Sequence, residues 1–252
     1  MNANPNVVLQ ASNLSKSFGG FTAVSGVTFS VDRGESIAII GPNGAGKSTL
    51  FDLLTGRKRP DTGEVRLFGE TVSKIPPWGR VKRGLGRSFQ VSSVFPAYTA
   101  LQNIQVGLMM TRGVTWNMWR SATNALREEA DALLDLVGLQ AKRDVLAGEL
   151  GHGDQRSLEL GIAMSTQPRI LLLDEPTAGM GRDESRACLA QIREIADKKG
   201  IPIVFVEHDM NVVFSFATRV IVVVSGKVLL DGSPELVRGD ERVKEAYFGE
   251  EL

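Results

Sequence analysis

Eight consecutive residues, Gly41, Pro42, Asn43, Gly44, Ala45, Gly46, Lys47 and Ser48, satisfy the pattern G-x4-G-K-[ST], and Thr49 follows them. Glycines in this arrangement let the backbone curl until several N–H groups converge on the oxygens of a phosphate. A helix beginning at the end of the loop adds the positive end of its dipole. Lys47 supplies a point charge for β- and γ-phosphate oxygens, and the Ser48 hydroxyl stands where it can ligate Mg²⁺. The chemistry is the capture of a nucleoside triphosphate with its metal.

A second run, Ile170-Leu-Leu-Leu-Asp174-Glu175, supplies the complementary half. An apolar strand ending in a carboxylate can bring Asp174 to the Mg²⁺ shell. Glu175, one residue on, can polarise an attacking water as general base. An acidic strand end is usually structural when it stands alone. In a chain with a single G-x4-G-K-[ST] loop, the pairing points to triphosphate hydrolysis.

These residues need a scaffold, and short β-branched runs alternating with helical segments indicate a largely parallel α/β core. Val7–Ser12, Val27–Val31 and Glu64–Leu67 read as strands of an opening β-rich portion. Ser36–Ile40 is an apolar run that feeds the glycine loop, as expected of a strand buried on both faces. A helix is expected from Lys47 to about Leu54. From Leu101 to Ala147 the pattern turns helical, with Leu126, Ala130, Leu133, Leu134 and Val137 on one face among Arg127, Glu128, Glu129 and Asp131. The core resumes at Ile170–Asp174 (strand), Arg182–Lys199 (helix), Pro202–Glu207 and Arg219–Ser225 (strands), and Lys227–Asp231 forms a short strand after a turn at Gly226.

Composition narrows the setting. The chain has 252 residues, 42% of them hydrophobic, enough for a sizeable core. Lys plus Arg and Asp plus Glu both total 29, so there is no net charge to grip nucleic acid broadly, and no nucleic-acid partner is expected. The most apolar stretches, Ile37–Ile40, Ile170–Leu173 and Val220–Val224, are strand-sized, whereas a bilayer needs roughly 20 residues. Met1 to Asn6 lack the layout of a signal peptide. The single cysteine, Cys188, falls in a helical pattern and is expected to pack as a small apolar residue in a cytosolic chain.

Four further signals stand in order along the chain: Gln90 after the strand-like Gly86-Arg-Ser-Phe, Leu150-Gly151-His152-Gly153-Asp154 before a helix expected at Ser157–Ser165, Ala178-Gly-Met-Gly181, and His208 at a strand end; Phe18 stands earlier, in Lys16-Ser-Phe-Gly-Gly. Their order and spacing resemble the ABC ATPase family over essentially the whole chain. The resemblance implies a phosphate-loop NTPase with a RecA-like α/β core, an inserted helical subdomain and an N-terminal antiparallel β portion. It implies one ABC ATPase domain over 1–252, with a core lobe at about 1–90 and 168–252 and a helical lobe at about 91–167. In family terms Gln90 is the Q-loop residue touching Mg²⁺, Leu150–Asp154 the signature that meets a partner's nucleotide, Ala178–Gly181 the D-loop and His208 the switch histidine near the γ-phosphate. Phe18 matches the aromatic that stacks on adenine, with Phe21 a nearby rival and core packing a third reading. Two such domains close head to tail on ATP and open after hydrolysis.

Within the family, Phe18-Gly-Gly-Phe-Thr-Ala-Val, Glu207-His-Asp-Met210 and Ala246-Tyr-Phe-Gly249 resemble the ATPases of branched-chain amino acid importers. The longer segment Met109–Arg120, with Trp116 and Trp119, is similar to the larger ATPase of that system, the LivG type; the tryptophans pack a helical hairpin or touch a membrane subunit. The resemblance implies ATP and Mg²⁺, two membrane permease subunits, a second ATPase subunit (or a second copy of this chain), an indirect link to a solute-binding protein, and a place on the cytoplasmic face of the cell membrane. Importers of urea, amides or other small solutes, and a lipopolysaccharide-type exporter, share the same motifs. One departure stands out: Gly151 replaces the signature serine, removing a hydroxyl that would bond the partner's γ-phosphate.

Overall fold

The strand Ser36–Ile40 carries an apolar residue at nearly every position, and the structure shows why: each of its faces belongs to a different core. The structure, a computed structural model, describes residues 6–87, 94–112 and 126–248. The strands are β1 (Val7–Phe18), β2 (Phe21–Asp32), β3 (Ser36–Ile40), β4 (Thr62–Leu67), β5 (Glu70–Thr71), β6 (Leu85–Arg87), β7 (Ile170–Asp174), β8 (Ile203–Val206), β9 (Arg219–Val224) and β10 (Lys227–Gly232). The helices are α1 (Lys47–Thr55), α2 (Pro77–Val81), α3 (Ala100–Arg112), α4 (Arg127–Leu136), α5 (His152–Ser165), α6 (Arg182–Lys199), α7 (Met210–Phe216), α8 (Pro234–Gly239) and α9 (Glu241–Phe248).

Six strands form one sheet in the order β10-β9-β3-β8-β7-β6, parallel throughout except for β10. A second, antiparallel sheet has the order β2-β1-β4-β5. Side chains alternate across a strand, so Ile37 and Ile39 face the antiparallel sheet while Ala38 and Ile40 face the opposite layer. The first core traps α1 between the two sheets through Leu50, Phe51, Leu53 and Leu54. The second joins the other sheet face to α3, α4 and α5, with Ile104, Ala130, Leu134 and Val137 all buried. The expected apolar face of Leu126–Val137 is therefore real, and it shares its core with the sheet. Cys188 sits half-buried on α6, where burial pushes its thiol up to about 11. Among the described residues no helix is long and apolar enough to cross a membrane.

Several boundaries differ from the sequence expectation. Both opening strands are longer, because Phe18 and Phe21 pair across a Gly19-Gly20 turn in which both glycines have positive φ (52° and 91°). Such a turn matches the twist of a two-residue hairpin. The helix expected from Ser157 begins five residues earlier, at His152, with Gly151 as its N-cap. That shift puts the signature residues on the first turn of α5 rather than in a loop before it. The strands Pro202–Glu207 and Arg219–Ser225 each stop short, at Val206 and Val224, and the strand after Gly226 runs on to Gly232.

The end of α1 carries an unexpected cation. Arg80 is fully buried, and its guanidinium donates to the carbonyls of Leu53 (2.7 Å), Leu54 (2.6 Å), Ile75 (3.0 Å) and Ser73 (3.4 Å). Burial pushes its pKa down to about 10, which leaves it charged at neutral pH. A positive group on the last carbonyls of a helix satisfies acceptors that have no intrahelical donor and complements the negative end of the dipole. Arg80→Met removes these bonds and leaves the carbonyls buried. At about 1.5 kcal/mol for each of the two shortest charge-assisted bonds, a stability loss of about 3 kcal/mol is expected in urea unfolding. An unchanged midpoint would show that the helix end does not depend on this cation.

Candidate functional site

The phosphate loop leaves β3 at Gly41 and enters α1 at Lys47, and two neighbouring backbones hold it there. Gly226 N–H donates to the Ala45 carbonyl (2.9 Å), and Ser25 N–H donates to the Gly226 carbonyl (2.8 Å). The loop is thus pinned between β2 and the β9–β10 turn. Gly46, with φ at 101°, would bring a Cβ within 2.1 Å of the Ala23 carbonyl oxygen, so no larger residue fits without moving the backbone. The turn itself is Ser225-Gly226, with φ values of 47° and 76°. From the sequence Gly226 is only a turn residue; its part in holding the phosphate loop depends on β2 lying alongside, which spacing does not reveal.

Lys47 is buried, and its ammonium donates to the carbonyls of Gly41 (2.5 Å) and Pro42 (2.8 Å) across its own loop. Ser48 is exposed on the first turn of α1, while Asp174 is buried at the end of β7. These are hard oxygen donors, and no group of three or more His, Cys, Asp or Glu side chains among the described residues is placed to hold a metal. One hydroxyl and one carboxylate do not cage a cation by themselves. They fit Mg²⁺, which keeps most of its ligands from phosphates and water.

A cleft of about 430 Å³ opens over the loop. Phe18 and Phe21, the loop residues Asn43–Thr49, and Glu175 and His208 all line it. Phe18 and Phe21 are 42% and 62% exposed, which removes the core-packing reading for both. Lys16 and Lys58 place their ammonium groups 5.5 and 5.8 Å from the Phe18 ring centroid. A slightly larger cleft, about 490 Å³ between α6 and α7, carries none of the residues assigned to phosphate, metal or base; chemistry rather than volume distinguishes the two.

Glu175 and His208 meet directly, with Nε2 of His208 2.7 Å from Oε1 of Glu175. A carboxylate can only accept, so Nε2 carries the proton in this contact. Glu175 also has a left-handed backbone, φ 50°, a conformation costing roughly 1–3 kcal/mol for a residue with a side chain. Its N–H donates to the Val206 carbonyl (3.0 Å), and its own carbonyl accepts from Ala178 N–H (3.1 Å). Beneath the pair lies Glu207, 5% exposed, accepting from Thr177 N–H (3.1 Å), the Thr177 hydroxyl (2.6 Å) and His208 N–H (3.1 Å). Glu207 entered the sequence reading only as part of Glu207-His-Asp-Met210. A carboxylate on an otherwise apolar strand was the available signal.

The remaining expected residues lie elsewhere. Gly151, His152 and Gly153 do not line the cleft. They sit at the start of α5, with His152 Nε2 3.3 Å from the Ala178 carbonyl, so that signature and D-loop touch within one chain. Asp154 pairs with Lys142. A Cβ at Gly151 would meet nothing nearer than Asp154 Oδ2 at 3.9 Å. Gln90, Trp116 and Trp119 lie outside the described residues.

Comparison with known proteins agrees with this geometry. The model of the ABC transporter family matches residues 24–178, and that of the branched-chain amino acid ATP-binding cassette transporter matches residues 227–252. The chain is 36% identical to the high-affinity branched-chain amino acid transport ATP-binding protein BraF of Pseudomonas aeruginosa, covering 96% of this chain and 98% of that one. It is 35% identical to LivG of Escherichia coli, with the same coverage. It is 32% identical to the lipopolysaccharide export ATP-binding protein LptB of Haemophilus influenzae, over 97% and 98%. Among solved structures it resembles the ADP conformation of an ABC transporter cassette, with a TM-score of 0.85 and 28% identity over 96% and 99% of the two chains. It also resembles a dimeric cassette in a post-hydrolysis state bound to ADP and phosphate, with a TM-score of 0.74 and 25% identity over 90% and 98%. Loop, cleft, acidic strand end and these likenesses agree, and the chain belongs to the ABC transporter ATP-binding family.

Proposed function

We propose that this chain binds and hydrolyses MgATP to drive import of branched-chain or related amino acids, as one single-domain subunit of a membrane-bound assembly. The observation that carries the hydrolytic part is the Glu175–His208 contact facing the phosphate loop across one cleft. Lys47 exchanges the Gly41 and Pro42 carbonyls for oxygens of the β- and γ-phosphates. Loop N–H groups and the dipole of α1 hold the same oxygens. Ser48, Asp174 and Gln90 would hold Mg²⁺, which would supply charge neutralisation to the phosphates. Water attacks the γ-phosphorus, the bond to the β–γ bridging oxygen breaks, and Glu175 takes the water's proton through the oxygen that His208 leaves unengaged. His208 orients that carboxylate and, lining the same cleft as the phosphate loop, is the group assigned to contact the γ-phosphate. Phe18 stacks on the adenine, with Phe21 beside it.

The position of the signature supports a head-to-tail pair. Gly151, His152 and Gly153 lie outside this chain's own cleft, so they serve the nucleotide of a second ATPase subunit. The assembly adds two membrane permease subunits and, indirectly, a solute-binding protein, with this chain on the cytoplasmic face of the inner membrane. The match of residues 227–252 to the branched-chain model favours import over lipopolysaccharide export.

Two substitutions test this reading. Glu175→Gln keeps the shape and removes the base; MgATP binding should persist while steady-state hydrolysis falls roughly a hundredfold or more. Turnover near the wild-type rate would refute the assignment. Gly151→Ser meets no steric obstacle and returns the missing hydroxyl to the signature. A bond to a charged oxygen is worth about 1.5–3 kcal/mol, so the assembled complex should hydrolyse ATP faster. An unchanged rate would show that the backbone N–H groups at the start of α5 suffice, and that this chain's signature does not make the poorer composite site.

A further inference from the structure

The Glu175–His208 contact joins two residues on separate strands, and neither is held by the other alone. Glu175 has a strained left-handed backbone at the end of β7. His208 follows β8 and is exposed. Both nonetheless lie within one or two residues of a hydrogen bond to the same side chain. Thr177, two residues after Glu175, donates its N–H and its hydroxyl to Oε1 of Glu207. His208 donates its backbone N–H to Oε2 of Glu207. Thr177 and Glu207 are 7% and 5% exposed, so these bonds are shielded from water and geometrically restrictive.

We propose that Glu207 is a positioning residue for hydrolysis: its one buried carboxylate, bonded to Thr177 on one oxygen and to His208 on the other, sets the separation of Glu175 and His208. The inference rests on the reading of Glu175 as the base. Register supports it, since Asp174 pairs with Val206 and the Glu175 N–H donates to the Val206 carbonyl. That ladder fixes the strands, but it ends at Glu175, where the chain turns into the left-handed conformation. Beyond that point the carboxylate of Glu207 bridges the two chain segments. Thr177 also opens the segment Ala178–Gly181, whose Ala178 carbonyl meets His152.

Glu207 is needed as an acceptor on both oxygens. An amide of the same shape must turn its NH2 toward either Thr177 or His208, opposing a donor to a donor. In the assembled complex, Glu207→Gln should lower kcat at least tenfold while the KM for ATP and equilibrium MgATP binding stay within about twofold. Thr177→Val, which loses only the hydroxyl, should lower kcat severalfold in the same manner, and Thr177→Ser should restore it. The proposal is overturned if both Glu207→Gln and Thr177→Val turn over at the wild-type rate, or if binding falls in step with kcat. Should Glu207→Gln fail to fold, the Thr177 pair decides. Glu175→Gln, measured alongside, separates the two readings: if it is inactive while Glu207→Gln and Thr177→Val are normal, only the positioning role fails; if it is active, the base assignment fails and this proposal with it.

Discussion

The phosphate loop is a stretch of backbone that holds its shape because other backbones leave it no alternative. Ala45 accepts from Gly226, Gly226 accepts from Ser25, and the carbonyl of Ala23 stands where a Cβ on Gly46 would be. Each partner comes from a different part of the chain: β2 from the antiparallel sheet, Gly226 from the turn at the far end of the parallel sheet. The two sheets must therefore meet across α1 before the loop can exist. The core of Leu50, Phe51, Leu53 and Leu54 between them supplies the driving force, because burying large apolar side chains is the main favourable term in folding.

The same helix arranges the charges. Its start carries Lys47 and the N–H groups of the loop, and its end is closed by the buried guanidinium of Arg80. A cation at each end is favourable for different reasons. Arg80 complements the carbonyl end of the dipole throughout. Lys47 opposes the dipole at the N–H end and offsets this by donating to the Gly41 and Pro42 carbonyls, which on the proposed reading it trades for phosphate oxygens. Glu175 and His208 line the same cleft from just beyond the ends of β7 and β8, two strands fixed by the parallel ladder.

Much of this was legible in residue types. The G-x4-G-K-[ST] loop, the acidic end of Ile170–Asp174 and the apolar face of Leu126–Val137 depend on local pattern, and each appears in the structure where the pattern put it. What remained hidden depends on contacts between distant segments. The Gly19-Gly20 turn carries Phe18 and Phe21 to the mouth of the cleft, which strand propensity over Val7–Ser12 did not reveal. The early start of α5 at His152 defeated the helical pattern because Gly151 and Gly153 are poor helix formers; tertiary packing overrides that preference. Arg80 and Glu207, two charged residues in apolar surroundings, are explained only by the carbonyls and N–H groups that meet them.

On the proposed reading, one chain supplies the loop, metal ligands and base, and another subunit's signature completes the nucleotide site. The most direct measurement is phosphate release per chain at saturating MgATP as the second ATPase subunit and permease complex are titrated in. The account predicts a rate that is low for the isolated chain and rises to a plateau at one partner ATPase per chain. A full rate in the isolated chain, unchanged by partner or by concentration, would contradict it.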